Sequence, residues 1–353
     1  MFSAALASQS SRITRQVTLT RRNRKSIRFR GKNEPVIETL RVRARNYFVL
    51  EKLSARGAYR VFDPHAGPNG DYRALYRIPS DQTTRQKIEV LKRFSGPNGN
   101  RNFPSIVDYV RDHDTIIVVL AWVAGTNLRE YLKAIRERKT PRPSPSETVR
   151  LMRGMAHGLG HFHRRLNVVH GDISPANLVL TSGTKQLIAV DFGSAWPVER
   201  AGFKDDGDGA TLLYAAPERV TGSTAADFRA DMFSLAIVAF ELLTLELPFD
   251  GLGGQAGLPA LREKAMSKYK PPSEFGQISK QLPRETMQKL DEVIRTSLAF
   301  DPEDRYLTRD EWLVGWDELH DSFRKGTRLN SFERVLVGCV EIVVRAWERV
   351  VAR

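Results

Sequence analysis

The stretch VVHGDISPANLVL, residues 168–180, holds His170, Asp172 and Asn177 in a polar loop between two apolar runs. Fourteen residues after Asn177, the apolar run 187–190 delivers Asp191, followed by Phe192 and Gly193. Two carboxylates and a carboxamide on neighbouring loops are hard oxygen donors, the kind that hold a magnesium ion with its nucleotide phosphates. Asp, Asn and Gly are also ordinary turn residues, so neither loop carries the reading alone. His157 and His161 have the i,i+4 spacing of a zinc pair, but no Glu follows His157 as a metalloprotease helix requires.

The elements that must position these groups change character along the chain. YFVLEKL, AYRVFD, YRALYRI and TIIVVLAWV are short β-branched or aromatic runs separated by Gly, Pro, Asn and Asp, which predicts strands from Tyr47 to Val123. DQTTRQKIEVLKRF interrupts them with a helical pattern. Helix dominates after Asn127: SPSETVRLMRGMAHGLGHFHRRL opens with Ser146 as a capping-box residue. RADMFSLAIVAFELLTLELPF is apolar nearly all round, as a helix at a domain centre is.

A β-rich segment followed by a helical segment carrying two such loops resembles the eukaryotic-type Ser/Thr protein kinases, in their bacterial-like form and with a divergent N-lobe. The resemblance spans roughly residues 47–320 and rests on five motifs in order: HGDISPAN as catalytic loop, DFG, LLYAAPE, the central helix DMFSLAIVAFELLTLELPF, and DPEDRY. It implies an α+β, bilobal fold with a small β-rich N-lobe and a large helical C-lobe. The domain expectation is a basic disordered tail over 1–46, N-lobe and hinge over 47–123, C-lobe over 124–325 and an amphipathic helix over 326–353.

The same resemblance implies ATP and Mg2+ as cofactors and a protein Ser/Thr hydroxyl as acceptor. Asp172 would take or orient the hydroxyl proton, while Asn177 and Asp191 would hold the metal. Asp231 would accept hydrogen bonds from the catalytic-loop backbone, His170 and Phe192 would stack between the lobes, and Glu218 with Arg305 would form a buried ion pair. Leu120 would be the gatekeeper, with the Ala121 carbonyl and Val123 amide facing the adenine edge. Val61 and Ala74 would cover the base and Val179 would lie beneath it. His-Gly-Asp also occurs in small-molecule phosphotransferases of the choline and aminoglycoside type. The segment ATLLYAAPERV before the Asp231 helix resembles the protein-docking platform that those enzymes lack, and Thr211 sits where Ser/Thr kinases keep a threonine.

Several positions depart from the family pattern. LSARGAYRVF offers the phosphates only Gly57, and Tyr76 falls on the lysine position two residues after Ala74. Lys87, four residues before the spine residue Leu91, takes the glutamate's place, with Glu89 about 200° round the helix from it. Ser174 replaces the catalytic-loop lysine. Arg60, Arg77 or Lys87 could supply a substitute cation, Arg77 by a one-residue shift of the strand. A pseudokinase serving as a nucleotide-binding or scaffold module is therefore the alternative to an active enzyme.

Composition bounds the rest. The chain has 353 residues, 41% of them apolar, which suits a globular protein with a sizeable core. Its single cysteine, Cys339, excludes an intramolecular disulfide and fits a reducing, cytoplasmic setting. The net charge of +14 is concentrated in residues 1–46, where 12 Lys/Arg face Glu34 and Glu38. Such a run could touch nucleic acid or an anionic membrane, but solvated disorder is the expectation and a nucleic-acid partner is not. Its Ser/Arg-rich start has transit-peptide composition without a clear cleavage signal. Residues 331–353 carry a wide apolar helical face, including Trp347, which the kinase-like domain, a partner helix or a membrane interface must cover.

Overall fold

Period-two alternation builds the first part of the chain into strands. The computed structural model describes residues 17–19, 26–53, 57–80, 100–191, 196–197, 212–221 and 227–326. The strands are β1 (Val17–Leu19), β2 (Ser26–Phe29), β3 (Lys32–Pro35), β4 (Glu38–Val42), β5 (Arg45–Lys52), β6 (Ala58–Asp63), β7 (Asp71–Pro79), β8 (Ile106–Asp112) and β9 (Thr115–Ala121). Seven of them form one antiparallel sheet in the order β1-β4-β5-β6-β7-β9-β8.

Register decides which side chains reach which face. Ala74 of β7 lies opposite Arg60 and Leu120, Tyr76 opposite Ala58 and Val118, and Tyr72 opposite Phe62. These residues share one face, where Ala74, Tyr76 and Ile78 pack against the core of the helical lobe. The alternate residues Val61, Leu75 and Val119 point the other way into a separate cluster with Leu40, Val42, Tyr47 and Val49. Strands β4 and β8 also touch, so the sheet curls around that cluster.

Residues 26–46, expected to belong to a disordered basic tail, instead form strands. SIRF and KNEP pair as a hairpin in register Phe29↔Lys32, with Arg30 and Gly31 both at positive φ in a two-residue turn. Charge count misled because the basic residues alternate with apolar ones: Ile27 and Phe29 face inward while Arg28 and Arg30 stay exposed. Phe29 packs against Phe62 and Tyr72, with Ile27 and Leu50 in the same cluster.

After β10 (Gly125–Asn127), the helices α1 (Leu128–Arg136) and α2 (Pro145–Leu166) begin the helical lobe. The cap of α2 is Ser144 rather than Ser146: its hydroxyl accepts from the Glu147 amide, and Pro145 occupies the first turn where no N–H is missed. Short strands β11 (Val168–Val169), β12 (Leu178–Thr181), β13 (Leu187–Ala189) and β14 (Trp196–Pro197) carry the polar loops. Helix α3 (Pro217–Thr221) precedes α4 (Phe228–Thr244), which is buried from Ala230 to Thr244 as its all-round apolar sequence demands. Helices α5 (Pro259–Ser267), α6 (Arg284–Ser297) and α7 (Arg309–Gly326) complete the lobe. No helix among the described residues is long and apolar enough to cross a membrane. The expectations for the 81–99 helix, residues 192–195, Thr211 and the 331–353 helix, including Cys339, lie outside the described residues.

Candidate active site

Strands β12 and β13 pair antiparallel with Leu178 opposite Ala189, and the Val190 amide donates to the Asn177 carbonyl at 2.8 Å. That pairing brings Asn177 beside the residue preceding Asp191, which joins the two loops into one site. Asn177 also donates from Nδ2 to the Asp172 carbonyl at 3.0 Å, so the backbone of the 172–177 loop is tied across its own turn. Asp172 is buried to 8% exposure, and its amide approaches His170 Nδ1 at 3.4 Å.

The loop is anchored from below by Asp231 in the first turn of α4. Its two oxygens accept the amides of His170 and Gly171, both at 2.8 Å, and His163 Nε2 at 2.7 Å. Burial pushes the Asp231 carboxyl up, yet the hydrogen bond and charge of His163, with the Gly171 amide, outweigh it and hold the group below the usual carboxylate range. Gly171 sits at φ +73, a left-handed conformation that glycine adopts freely. A second tether comes from Asn127, whose Nδ2 donates to the Ala176 carbonyl at 2.5 Å while its Oδ1 caps α1. Sequence reading missed Asn127; its N-cap position before an apolar helical run was the available signal.

His170 stacks near Phe103 and Phe162, with ring centroids 6.3 and 6.5 Å away, and Phe103 stacks on Phe162 at 4.9 Å. An aromatic column thus joins the two lobes behind the loop. His157 and His161 do not form a metal pair: His157 meets Asp317 at 2.8 Å and His161 faces Asn100. Asn177 and Asp191 do fit a magnesium site, since that ion takes one or two protein oxygens and completes its octahedron with phosphate and water.

The roof departs from expectation at two residues. Val61 does not cover the base: it faces Arg73 across the ladder and is buried in the cluster on the opposite side of the sheet from Ala74. Arg60 takes its place on the Ala74 face. Arg77 is likewise turned away from the cleft, ion-paired with Glu38 of β4 and lying over Tyr59 at 5.1 Å. A one-residue shift of β7 would be needed to bring it in, and the unbroken register from Pro79 to Arg73 against β9 forbids that.

Tyr76 therefore occupies the deep position. Its hydroxyl accepts the Asp191 backbone N–H, and burial first, then the Asp191 charge, pushes the phenol far above its usual range. Asp191 itself has φ +64, an uncommon conformation for a non-glycine residue and one that persists only when its surroundings enforce it. Leu120 is buried on the same face, Val179 is half-buried and alternates away from the core residue Leu178, and residues 122–124 leave the strand ladder, so sheet pairing does not consume their backbone groups.

Glu218 and Arg305 form a two-pronged ion pair at 2.8 Å for each bond, with both side chains buried. The remaining guanidinium donors go to the carbonyls of Ala299, Arg229 and Phe300. Nearby, Tyr214 donates to Glu241 at 2.6 Å and Arg136 pairs with the same carboxylate, tying the platform residue to α1 and α4.

The description "Protein kinase domain" matches residues 75–313, which leaves β1 to β6 and the start of β7 outside the match. The chain is 29% identical over 273 residues to a probable serine/threonine-protein kinase of Streptomyces coelicolor, covering 74% of this chain and 38% of that protein. It is 33% identical over 199 residues to the tyrosine-protein kinase MasK of Myxococcus xanthus, covering 54% of this chain and 29% of that protein. The chain thus spans about a third of the length of these curated relatives. Among solved structures, the kinase PK-1 of Cydia pomonella granulovirus superposes with a TM-score of 0.55 at 22% identity, covering 76% of this chain and 92% of that one. The PknI kinase domain of Mycobacterium tuberculosis gives 0.51 at 23% identity, covering 77% and 96%. These likenesses establish the bilobal kinase fold.

Proposed function

The chain belongs to the protein kinase family, and on that premise we propose that it transfers the γ-phosphoryl group of ATP to a serine or threonine hydroxyl of a protein. The observation that carries the reading is the preorganised catalytic loop. Asp231, Asn127 and Asn177 together fix the backbone on both sides of Asp172, so the carboxylate is held in place before substrate arrives. Asp172 accepts or orients the hydroxyl proton for in-line attack, and Asn177 with Asp191 would hold magnesium, which neutralises charge on the transferring group when bound. Tyr76 sets the Asp191 backbone rather than contacting phosphate with a positive charge. The platform around Tyr214 and the Glu218–Arg305 pair supports a protein acceptor over a small alcohol.

Magnesium-ATP titration followed by radiolabelled transfer to the chain itself, to generic proteins and to small alcohols tests this reading. Asp172→Asn is expected to abolish transfer while nucleotide affinity stays within about twofold, because the residue faces the hydroxyl. Transfer by that variant at the unaltered rate would overturn the assignment. Magnesium-dependent binding without any transfer by the unaltered chain would make it a nucleotide-binding scaffold.

A further inference from the structure

Resting on the reading that the cleft takes a nucleotide, we propose that Arg60 is the residue that covers the base, held there by the amino-terminal hairpin. Arg60 stands directly opposite Ala74, which itself stands opposite Leu120, so the three side chains share the cleft-facing row of the sheet. A flexible arginine in that row would be free to fold away. Here its tip is pinned on three sides: Nε to Glu51 at 3.1 Å, Nη2 to Glu34 at 2.9 Å, and the guanidinium over the Tyr72 ring at 5.1 Å.

Glu34 is the unexpected member of this group. It lies on β3 of the hairpin, is buried to 7% exposure and also accepts the Tyr72 hydroxyl. The hairpin docks on the same face through Phe29, and Tyr72 in turn meets Trp122 of the hinge, with ring centroids 6.1 Å apart. A segment that precedes the family-matched range therefore reaches the ceiling of the cleft and supplies the carboxylate that sets Arg60.

The direction of the side chain separates base from phosphate. The metal ligands lie at the Tyr76 end of β7, where Asp191 meets the phenol. Arg60 leans toward Tyr72, which lies four residues back along the strand and about 14 Å from that end at ~3.4 Å per residue. Phosphates belong at the Tyr76 end, so Arg60 faces the base and ribose. A guanidinium is flat, delocalised and weakly hydrated, which suits it to lie against an aromatic face where an ammonium would not.

The test titrates adenosine and magnesium-ATP separately into the full chain and into Arg60→Met and Arg60→Lys, with thermal unfolding as a check on folding. A base-covering role predicts that Arg60→Met weakens adenosine and ATP by the same factor, about fivefold for a partly exposed cation–π contact. Arg60→Lys should not restore either affinity, because it returns the charge without the plane. Loss confined to ATP, full rescue by lysine, or unchanged affinity for both ligands would each overturn the proposal while ATP binding by the unaltered chain left the kinase reading standing. Absence of ATP binding by the unaltered chain would instead remove that reading. Should Arg60→Met fail to fold, Glu34→Gln loosens the anchor with the guanidinium retained: a lower adenosine affinity supports the role and an unchanged one opposes it.

Discussion

At the scale of single residues, two conformations carry the site's chemistry. Gly171, beside the proposed catalytic residue Asp172, has a φ of +73, and this left-handed backbone aims its amide at Asp231. Gly171→Ala should lower stability by about 1–2 kcal/mol through left-handed strain alone, measured as a shift in the urea midpoint with an unchanged slope. Tyr76 acts on Asp191 through the backbone. Tyr76→Phe removes the acceptor and is expected to weaken the magnesium-dependent part of ATP affinity a few-fold, roughly 1 kcal/mol for a lost hydrogen bond, with magnesium-free binding unaltered. Equal losses with and without magnesium would show that Tyr76 acts only in packing.

At the scale of elements, the decisive contacts join segments distant in sequence. The Glu218–Arg305 pair ties α3 to the turn before α7, with Arg229 at the start of α4 as a third partner. Glu218→Gln leaves a buried guanidinium without its counter-charge, and a loss of roughly 3–5 kcal/mol in denaturant unfolding is expected. The β2–β3 hairpin is held by Phe29 between Phe62 and Tyr72 and by Glu34 paired with Arg60. Its burial is marginal for a two-stranded unit standing alone, so the hairpin owes its order to the sheet it covers.

At the scale of the whole molecule, the buried groups behind the catalytic loop set the response to acid. Burial lowers the His170 pKa from its ordinary 6.5, and the attraction of Asp231 and Asp191 does not offset it. The unfolded chain therefore takes up a proton below about pH 6.5 that the folded chain refuses, so stability is full above that pH and falls as pH drops. Asp231, whose pKa is lowered, contributes stability that is present above the ordinary carboxylate value and lost as pH falls through its depressed one. Melting temperatures recorded from pH 8 to pH 4 should decline from about pH 6.5 downward, and His170→Phe should flatten the upper part of that decline. A profile flat to pH 5 in the unaltered chain would contradict the assignment of His170 as buried and neutral.

The sequence by itself determined the helical lobe and its loops, because their signals are local. A helix apolar nearly all round, such as 228–244, must be central, and Asp172, Asn177 and Asp191 sit on loops bounded by short apolar runs. It also placed Tyr76 rather than a lysine two residues after Ala74, since alternation along one strand is a local rule. What it left undecided was pairing between strands. Whether Val61 or Arg60 shares a face with Ala74 depends on the β6–β7 register across a turn of seven residues, 64–70, and the opposite choice turns every side chain of β6 over. Arg77 was open for the same reason until Glu38, on a strand 39 residues earlier in the chain, claimed it. The basic segment 26–46 read as solvated disorder because composition sums charge without regard to direction. Only the packed sheet, by offering Phe62 and Tyr72 to Phe29 and Arg60 to Glu34, supplies the apolar surface and the counter-charge that make those residues fold.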